Sequence, residues 1–182
     1  MHGVFLGRIA RNLAHKIEEG MGNHRMTARS ERFSQLEQSV THLLEVMDSL
    51  PDPLLEVYPG WSAKDVLGHL VGWHESFARN TRDLSLGVQP KPLKGRLQDL
   101  NDQFAAESRV LDVPALAARL RAAQTLLGEH ILNPRVEIIP YRVGSRSYSP
   151  EDHLEIVRQH ILHHIGDIQK VVGRQARRAA QN

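Results

Sequence analysis

Regularly spaced histidines are the residues of this chain best suited to chemistry. The chain has 11 histidines among 182 residues, and His153, His160 and His164 recur near its C-terminal end. In an α-helix, which turns about 100° per residue, these three lie within about 20° of one line, and Asp167 lies about 40° from it. His163 falls about 80° away, at the edge of this stripe, and is not grouped with them. The spacing therefore places three imidazoles and one carboxylate on one narrow helix face.

Two histidines one helical turn apart can bind the same cation. His160 and His164 have this i, i+4 spacing, which puts their rings about 6 Å apart on one face. Two ligands rarely hold a divalent ion, so a third must come from another helix. His69 is the candidate, because it lies beside an apolar row and about 40° from Trp73 and Asp65. We therefore predict a divalent metal site of His69, His160 and His164 with positions left open for water or substrate.

The same residues also have a structural interpretation. Paired histidines occur without metal on solvated faces and near helix C-termini. Asp65 is then chiefly a helix cap and Trp73 a core residue, while Asp167 either orients a ligating imidazole or flanks the site. The residues expected around the site are Asp65, Trp73, His153 and Asp167. Three histidines off the apolar stripes are expected at the surface: His42, His74 and His130.

Composition excludes several classes of chemistry and partner. The chain has no cysteine, so it has no disulfide, no thiolate metal site and no cysteine nucleophile. No run approaches the roughly 18 apolar residues of a membrane-spanning helix. The net charge is +2, yet without the two ends, residues 26–170 carry 16 basic and 19 acidic side chains. We expect a soluble cytoplasmic protein whose folded domain binds neither membrane nor nucleic acid.

Four long amphipathic helices must position the histidines. Apolar residues recur at intervals of three and four, and Ser62, Asp112 and Ser149 are typical helix N-caps. The spans predicted for the four long helices are residues 27–50, 62–82, 112–133 and 150–172. A shorter helix is predicted over residues 97–111, and residues 135–148 form either a short extended segment or a packed loop. The fold class is therefore all-α, a four-helix bundle with long connections and one or two short extra helices.

The two ends are set apart from the bundle. Residues 1–25 are interpreted as a poorly ordered leader or an upstream start, or as an arm that packs on a partner subunit. The bundle domain is expected over residues 26–173 and a basic tail over residues 174–182. Bundles of this size often pair through a helix face, so we expect a homodimer.

Two segments resemble the signatures of a known superfamily. Residues 60–75, GWSAKDVLGHLVGWHE, resemble the second-helix signature of the DinB/YfiT-like four-helix bundle proteins. Residues 160–168, HILHHIGDI, resemble the fourth-helix HxxxH signature of the same superfamily. Residues 139–154 resemble the segment before that helix in some members, including relatives of the colibactin self-protection protein ClbS. The resemblance covers residues 33–172.

The resemblance implies a fold and a metal site. In the superfamily, one histidine of the second helix and two residues spaced i, i+4 on the fourth helix bind a divalent metal, often nickel or zinc. By motif position these residues are His69, His160 and His164. Relatives include thiol-dependent transferases and isomerases, metal-dependent hydrolases, and the ClbS type, which works without the metal triad. The resemblance therefore implies no particular substrate.

These observations favour a metal-dependent enzyme acting on a small molecule, either a hydrolase or a low-molecular-weight-thiol transferase. Three neutral imidazoles leave a cation nearly its full charge, so it lowers the pKa of bound water or thiol. The catalytic nucleophile would be that water or thiol, since no serine or cysteine motif supplies one. Residues Tyr141, Arg142, Arg146 and Tyr148 precede the fourth helix and could bind an anionic substrate over the pocket.

Two alternatives remain open for the function. One is a non-catalytic stress-response or binding module that holds a metal or small ligand without turnover. The other is a ClbS-like genotoxin-protection protein that acts without metal.

Overall fold

The computed structural model describes residues 27–181, which contain five helices and two short antiparallel hairpins. The helices are α1, residues 27–48; α2, Ala63–Ser85; α3, Leu97–Ser108; α4, Val113–Ile131; and α5, Pro150–Ala179. The strands are β1, Glu56–Tyr58; β2, Trp61–Ser62; β3, Ile139–Pro140; and β4, Ser147–Tyr148. The predicted all-α class, four long helices with a shorter one in a connection, is confirmed.

Side-chain caps set the starts of the helices that carry the histidines. The Ser62 hydroxyl accepts a hydrogen bond from the Asp65 amide at 3.1 Å, and the Asp65 carboxylate accepts one from the Ser62 amide at 2.8 Å. Asp112 caps α4 and Ser149 caps α5, each with a proline in the first turn. These bonds satisfy amides that the helix leaves free, and so they fix where each helix begins.

Two details of the elements differ from the sequence prediction. Helix α5 continues to Ala179, about two turns beyond its predicted end, and so includes most of the segment predicted as a tail. Hairpin β1–β2 was not predicted, because strands of two or three residues are too short to show alternation. Residues 139–140 and 147–148 pair as a second hairpin, so the extended interpretation of that segment is the right one. The leader predicted over residues 1–25 lies outside the described residues.

The apolar stripes of the four long helices form the core. The buried apolar residues of α1 are Leu36, Val40, Leu43, Leu44, Val46 and Met47, and Leu36 and Leu43 have no exposed surface. Fully buried apolar residues of the other three helices include Leu67, Leu116, Leu120, Leu127, Leu154 and Ile168. None of the helices in the described range is long and apolar enough to cross a membrane.

Helix α3 packs on α2 at two glycines. A methyl group at Gly72 would overlap the Phe104 ring, and one at Gly68 would overlap the Ser108 side chain. The two helix backbones therefore approach more closely than any residue with a Cβ would allow. This contact also brings Asn101 of α3 to Trp73 of α2, where the indole Nε1 donates to the Asn101 Oδ1 at 2.9 Å.

Two histidines of the core carry no charge. His74 was expected at the surface, but it is 1% exposed and its Nε2 lies 2.7 Å from the Gln124 Oε1 of α4. That expectation was wrong because α2 is covered by several elements, so residues beside its main stripe are buried as well. His153 is 2% exposed and stacks on Phe77 at 4.0 Å between ring centres. Of the other two histidines expected at the surface, His42 is exposed and His130 is half-buried.

Replacing Gly72 by alanine should loosen α3. The added methyl must displace the Phe104 ring, so we expect Gly72→Ala to lower the free energy of unfolding by about 1–3 kcal/mol. The control is Gly166→Ala in α5, where the new Cβ would meet no atom within 4 Å. There alanine should raise the free energy of unfolding by up to about 1 kcal/mol, because it is the better helix former. Urea unfolding measures both changes, and equal effects at the two sites would contradict the packing described.

Protonation of the buried histidines should destabilise the fold in acid. Burial lowers the pKa of His74 from 6.5 to about 4, and burial together with the nearby His74 lowers that of His153 to about 4. The unfolded chain binds these protons near pH 6.5 and the folded chain only near pH 4. The free energy of unfolding should therefore fall as the pH falls from 6.5 to 4, by about 1 kcal/mol per pH unit for each histidine.

Urea unfolding at several pH values with a chelator present would measure this dependence. His74→Gln should reduce the slope between pH 6 and 4.5 by about one proton, because glutamine does not titrate in this range. The same slope in wild-type protein and His74→Gln would show that His74 does not titrate as described.

Candidate metal centre

Three histidines from two helices converge on one point. The Nε2 of His160 lies 3.0 Å from the Nε2 of His69 and 3.0 Å from the Nε2 of His164. One ring nitrogen from each of the three lies within 4.8 Å of the others. His69 and His164 are buried and His160 is half-buried. The structure thus brings together the three residues that the sequence singled out as metal ligands, and we call this group the histidine cluster.

Two helices that run in opposite directions build the cluster. His69 of α2 faces His160 of α5, and eight residues further along α2 Phe77 stacks on His153, which lies seven residues earlier on α5. His164 follows His160 by one turn, so α5 supplies two imidazoles on the face that meets α2. The N-caps that fix the starts of α2 and α5, together with the apolar faces of these helices, therefore determine which histidines meet.

Hydrogen bonds within the cluster cannot satisfy all three rings. An imidazole nitrogen carries either one hydrogen or one lone pair. The Nε2 of His160 therefore cannot form a well-directed hydrogen bond to both neighbours at once. A cation that accepts a lone pair from each ring resolves this conflict. The two 3.0 Å separations also fit, since nitrogens about 2.0–2.1 Å from one ion lie about 3 Å apart when they subtend roughly a right angle.

The three imidazoles are neutral at neutral pH. Burial, with the other two rings of the cluster, lowers the pKa of His69 to about 3. Burial also lowers the pKa of His160 to about 4 and that of His164 to about 3, and neighbouring histidines add to both shifts. A neutral ring offers the lone pair that a metal ligand needs, so the cluster does not have to lose protons before it binds a cation.

A tyrosine connects the cluster to a carboxylate. The hydroxyl of Tyr58 in β1 lies 2.7 Å from the Asp167 Oδ2 and 2.9 Å from the His164 Nδ1. An ionised carboxylate only accepts, so the single hydroxyl hydrogen of Tyr58 goes to Asp167. The Tyr58 oxygen then accepts a hydrogen from the His164 Nδ1. This assignment leaves the Nε2 of His164 with a bare lone pair directed at the cluster.

The charges around this contact hold its protons in place. Bonds from Lys170 and Tyr58 keep the pKa of Asp167 below its ordinary value, so the carboxyl stays ionised. Burial and the bond to Asp167 raise the pKa of Tyr58, so the phenol keeps its hydrogen. Asp167 thus orients His164 through Tyr58. Sequence reasoning missed Tyr58, because it lies in a connection where no helical periodicity gives its position.

A cavity of about 320 Å³ opens beside the histidine cluster. His69 and His160 lie in its wall, and aromatic and aliphatic side chains form most of the rest. Trp73 lines it and stacks on Tyr141, with 4.8 Å between ring centres and 17° between ring planes. Such a cavity is suited to an apolar or planar small molecule with one end at the imidazoles.

The other residues expected around the site have different positions. His153 lines the cavity, about two helical turns from His160. Asp65 does not reach it, because its carboxylate is occupied by the Ser62 backbone and hydroxyl and by Arg109 at 3.1 Å. His163 is exposed, 3.2 Å from Asp167.

The loop expected to hold an anionic substrate reaches the cavity only in part. Tyr141 lines the cavity, and Tyr148 packs against the rings of Tyr141 and His153. Arg146 is exposed, with its guanidinium 4.6 Å from the centre of the Tyr148 ring. Arg142 donates to the Gly95 carbonyl at 2.8 Å and so ties two loops together. Neither arginine lines the cavity, so the expected role in binding an anion there is not supported.

The chain is similar to known proteins in part of its sequence and in its fold. The family model described as mycothiol maleylpyruvate isomerase N-terminal domain matches residues 50–133, which include His69 but not His160 or His164. No protein of curated function matches the chain.

Two solved structures share the fold. One is a mycothiol-dependent maleylpyruvate isomerase, with a TM-score of 0.61 at 13% sequence identity. The other is a histidine-to-alanine mutant of a mycothiol-dependent maleylpyruvate isomerase, with a TM-score of 0.60 at 11% identity. Each match covers 77% of this chain and 60% of the other. The chain thus has the helical fold of these isomerases and spans about three fifths of their length.

Proposed function

We propose that this chain is a metal-dependent enzyme that activates a low-molecular-weight thiol at the histidine cluster for attack on a small electrophilic molecule. The observation that carries the proposal is the convergence of three neutral imidazole nitrogens beside a largely apolar cavity. A divalent ion held there supplies positive charge that lowers the pKa of a thiol or water next to it. The similarity to mycothiol-dependent isomerases favours a thiol over water, and so isomerisation or transfer over hydrolysis.

In this proposal each group of residues at the site has its own role. His69, His160 and His164 hold the ion, and Tyr58 with Asp167 keeps His164 in the required tautomer. Trp73 and Tyr141 form a wall against which a planar substrate can lie, and the apolar lining excludes water from the reacting atoms. Because the chain has no cysteine, the attacking sulfur must come from the thiol, and its proton leaves to solvent. Zinc or nickel is the proposed ion, since imidazole sites favour late divalent metals.

Removal of any one cluster histidine should abolish tight metal binding. Cobalt(II), added to metal-free protein purified without a histidine tag, should give one absorbing complex per chain. His69→Ala, His160→Ala and His164→Ala should each weaken cobalt binding by at least about 100-fold, because two ligands hold a divalent ion poorly. The control is His163→Ala, next to the cluster but exposed, which should bind as the wild type does. If all three cluster variants keep full metal content, the proposed site is wrong.

The thiol can be tested on the cobalt-loaded protein. Mycothiol should produce a sulfur-to-cobalt charge-transfer band, and an oxidised mycothiol disulfide should not, because only a thiolate binds the ion. Thiol-dependent turnover should then appear in a panel of electrophilic substrates. Metal binding without the band and without turnover would reject thiol activation and favour a binding module. Full activity on a reactive electrophile without any metal would favour the ClbS-like alternative.

The contact from Tyr58 should also affect the metal. Tyr58→Phe removes the acceptor that holds the hydrogen on the His164 Nδ1, so we expect cobalt affinity to fall by about 10–100-fold. Tyr148→Phe is the matched control, since its ring contacts Tyr141 and His153 but no residue of the cluster. Unchanged cobalt affinity in Tyr58→Phe would contradict the role given to Tyr58 and Asp167.

A further inference from the structure

The cavity contains a second group of polar side chains, away from the histidine cluster. The Ser76 hydroxyl, the Asn80 Oδ1 and the His153 Nδ1 are buried and have no hydrogen-bond partner within the described part of the chain. All three residues line the cavity and are at most 3% exposed. We call them the inner polar group. The Nδ1 atoms of His69 and His74, which also line the cavity, are unpaired as well. An unpaired polar atom in a buried position is costly, so this concentration of them in one cavity indicates that a ligand supplies partners.

Helix geometry gives the separation between the two groups. Along α2, His69, Trp73, Ser76 and Asn80 follow one another at intervals of four, three and four residues, so they share one face. With a rise of 1.5 Å per residue, Ser76 lies about 10 Å beyond His69 along the helix axis. On α5, His153 lies about 10 Å from His160 in the same way. Ser76 and His153 are thus about two helical turns from the cluster and Asn80 about three, and Trp73 lies between Ser76 and His69 along α2.

The inner polar group suits an uncharged ligand group. None of the described residues that line the cavity is Asp, Glu, Lys or Arg. The Asn80 amide nitrogen donates to the Pro140 carbonyl at 3.2 Å, so its oxygen remains to accept a hydrogen bond. The Ser76 hydroxyl can donate or accept. A carboxylate placed here would be a buried charge without a counter-charge. An uncharged hydroxyl or carboxamide can donate a hydrogen bond to the Asn80 oxygen and can also pair with the Ser76 hydroxyl.

We propose that the inner polar group binds an uncharged hydroxyl or carboxamide of the substrate. The substrate is then an uncharged small molecule with an aromatic or apolar body that lies between this group and the reacting centre at the histidines. The assignment to a substrate rests on the proposed function, whereas ligand binding at the inner polar group does not depend on it. The proposal differs from the expectation of an anionic substrate drawn from the sequence.

Benzamide and benzoate provide a matched pair of probes. They have similar size and shape, but one ends in a neutral carboxamide and the other in a carboxylate at neutral pH. NMR titration of the metal-free protein, followed at the indole NH of Trp73, should show benzamide binding at least about tenfold more tightly than benzoate. Benzoate binding equally well or more tightly would overturn the proposal, as would the absence of benzamide binding.

Two serine variants of α2 test whether benzamide binds at the inner polar group. Ser76→Ala should weaken benzamide binding about fivefold and leave thermal stability unchanged or higher, since the hydroxyl has no hydrogen-bond partner among residues 27–181. Ser85→Ala is the control, because that buried hydroxyl donates to the Arg82 carbonyl at 2.8 Å and does not line the cavity. It should lower thermal stability and leave benzamide affinity unchanged. Equal benzamide affinity in wild type and Ser76→Ala would overturn the proposal.

A third variant tests the same subsite from α5. His153→Phe keeps an aromatic ring stacked on Phe77 but removes the unpaired nitrogen. It should therefore also weaken benzamide binding, and an unchanged benzamide affinity would count against the proposal. None of these measurements uses metal. A failure of cobalt binding therefore rejects the proposed function alone, and a failure of benzamide binding rejects the subsite alone.

Discussion

The meeting of α2 and α5 at His69 and His160 is the contact on which the site depends. Both side chains are polar, yet they lie between two amphipathic helices that also bury apolar residues such as Leu67, Ile161 and Ile165. Such a contact persists only if the rings are uncharged, because a buried imidazolium without a counter-charge would be strongly disfavoured. The position of the histidine cluster and the neutrality of its rings therefore have the same cause, which is burial between two helices.

The charged groups near the cluster lie on its outer side. Asp167 is ionised but contacts Lys170 and Tyr58 instead of an imidazole of the cluster. The neutral phenol of Tyr58 lies between Asp167 and His164. It therefore fixes the orientation of the His164 ring while the negative charge of Asp167 stays outside the histidine cluster. A cation bound by the three nitrogens would thus keep most of its charge for the ligand beside it, as proposed for thiol activation.

The helices and the cluster could be predicted from the sequence because both depend on local rules. Apolar periodicity and N-caps give the helices and their faces, and an i, i+4 histidine pair needs only a straight helix to share a face. Tyr58 could not be found in this way, since a hairpin of three-residue and two-residue strands has no period and its side chain reaches α5 across the fold. His74 was misplaced because its burial depends on how many elements cover α2. The roles of Arg142 and Arg146 depend on loop contacts with Gly95 and Tyr148, which spacing does not reveal.

Helix α3 has a different relation to the cavity from the four long helices. Leu97 and Asn101 of this helix contribute to the cavity wall, but α3 is attached to α2 through Gly68 and Gly72 and supplies no cluster histidine. Changes on the cavity side of α3 would thus alter what fits beside Trp73 without moving the imidazoles. The architecture thus keeps the histidine cluster apart from one wall of the cavity, so that wall could change in shape without a change in the cluster.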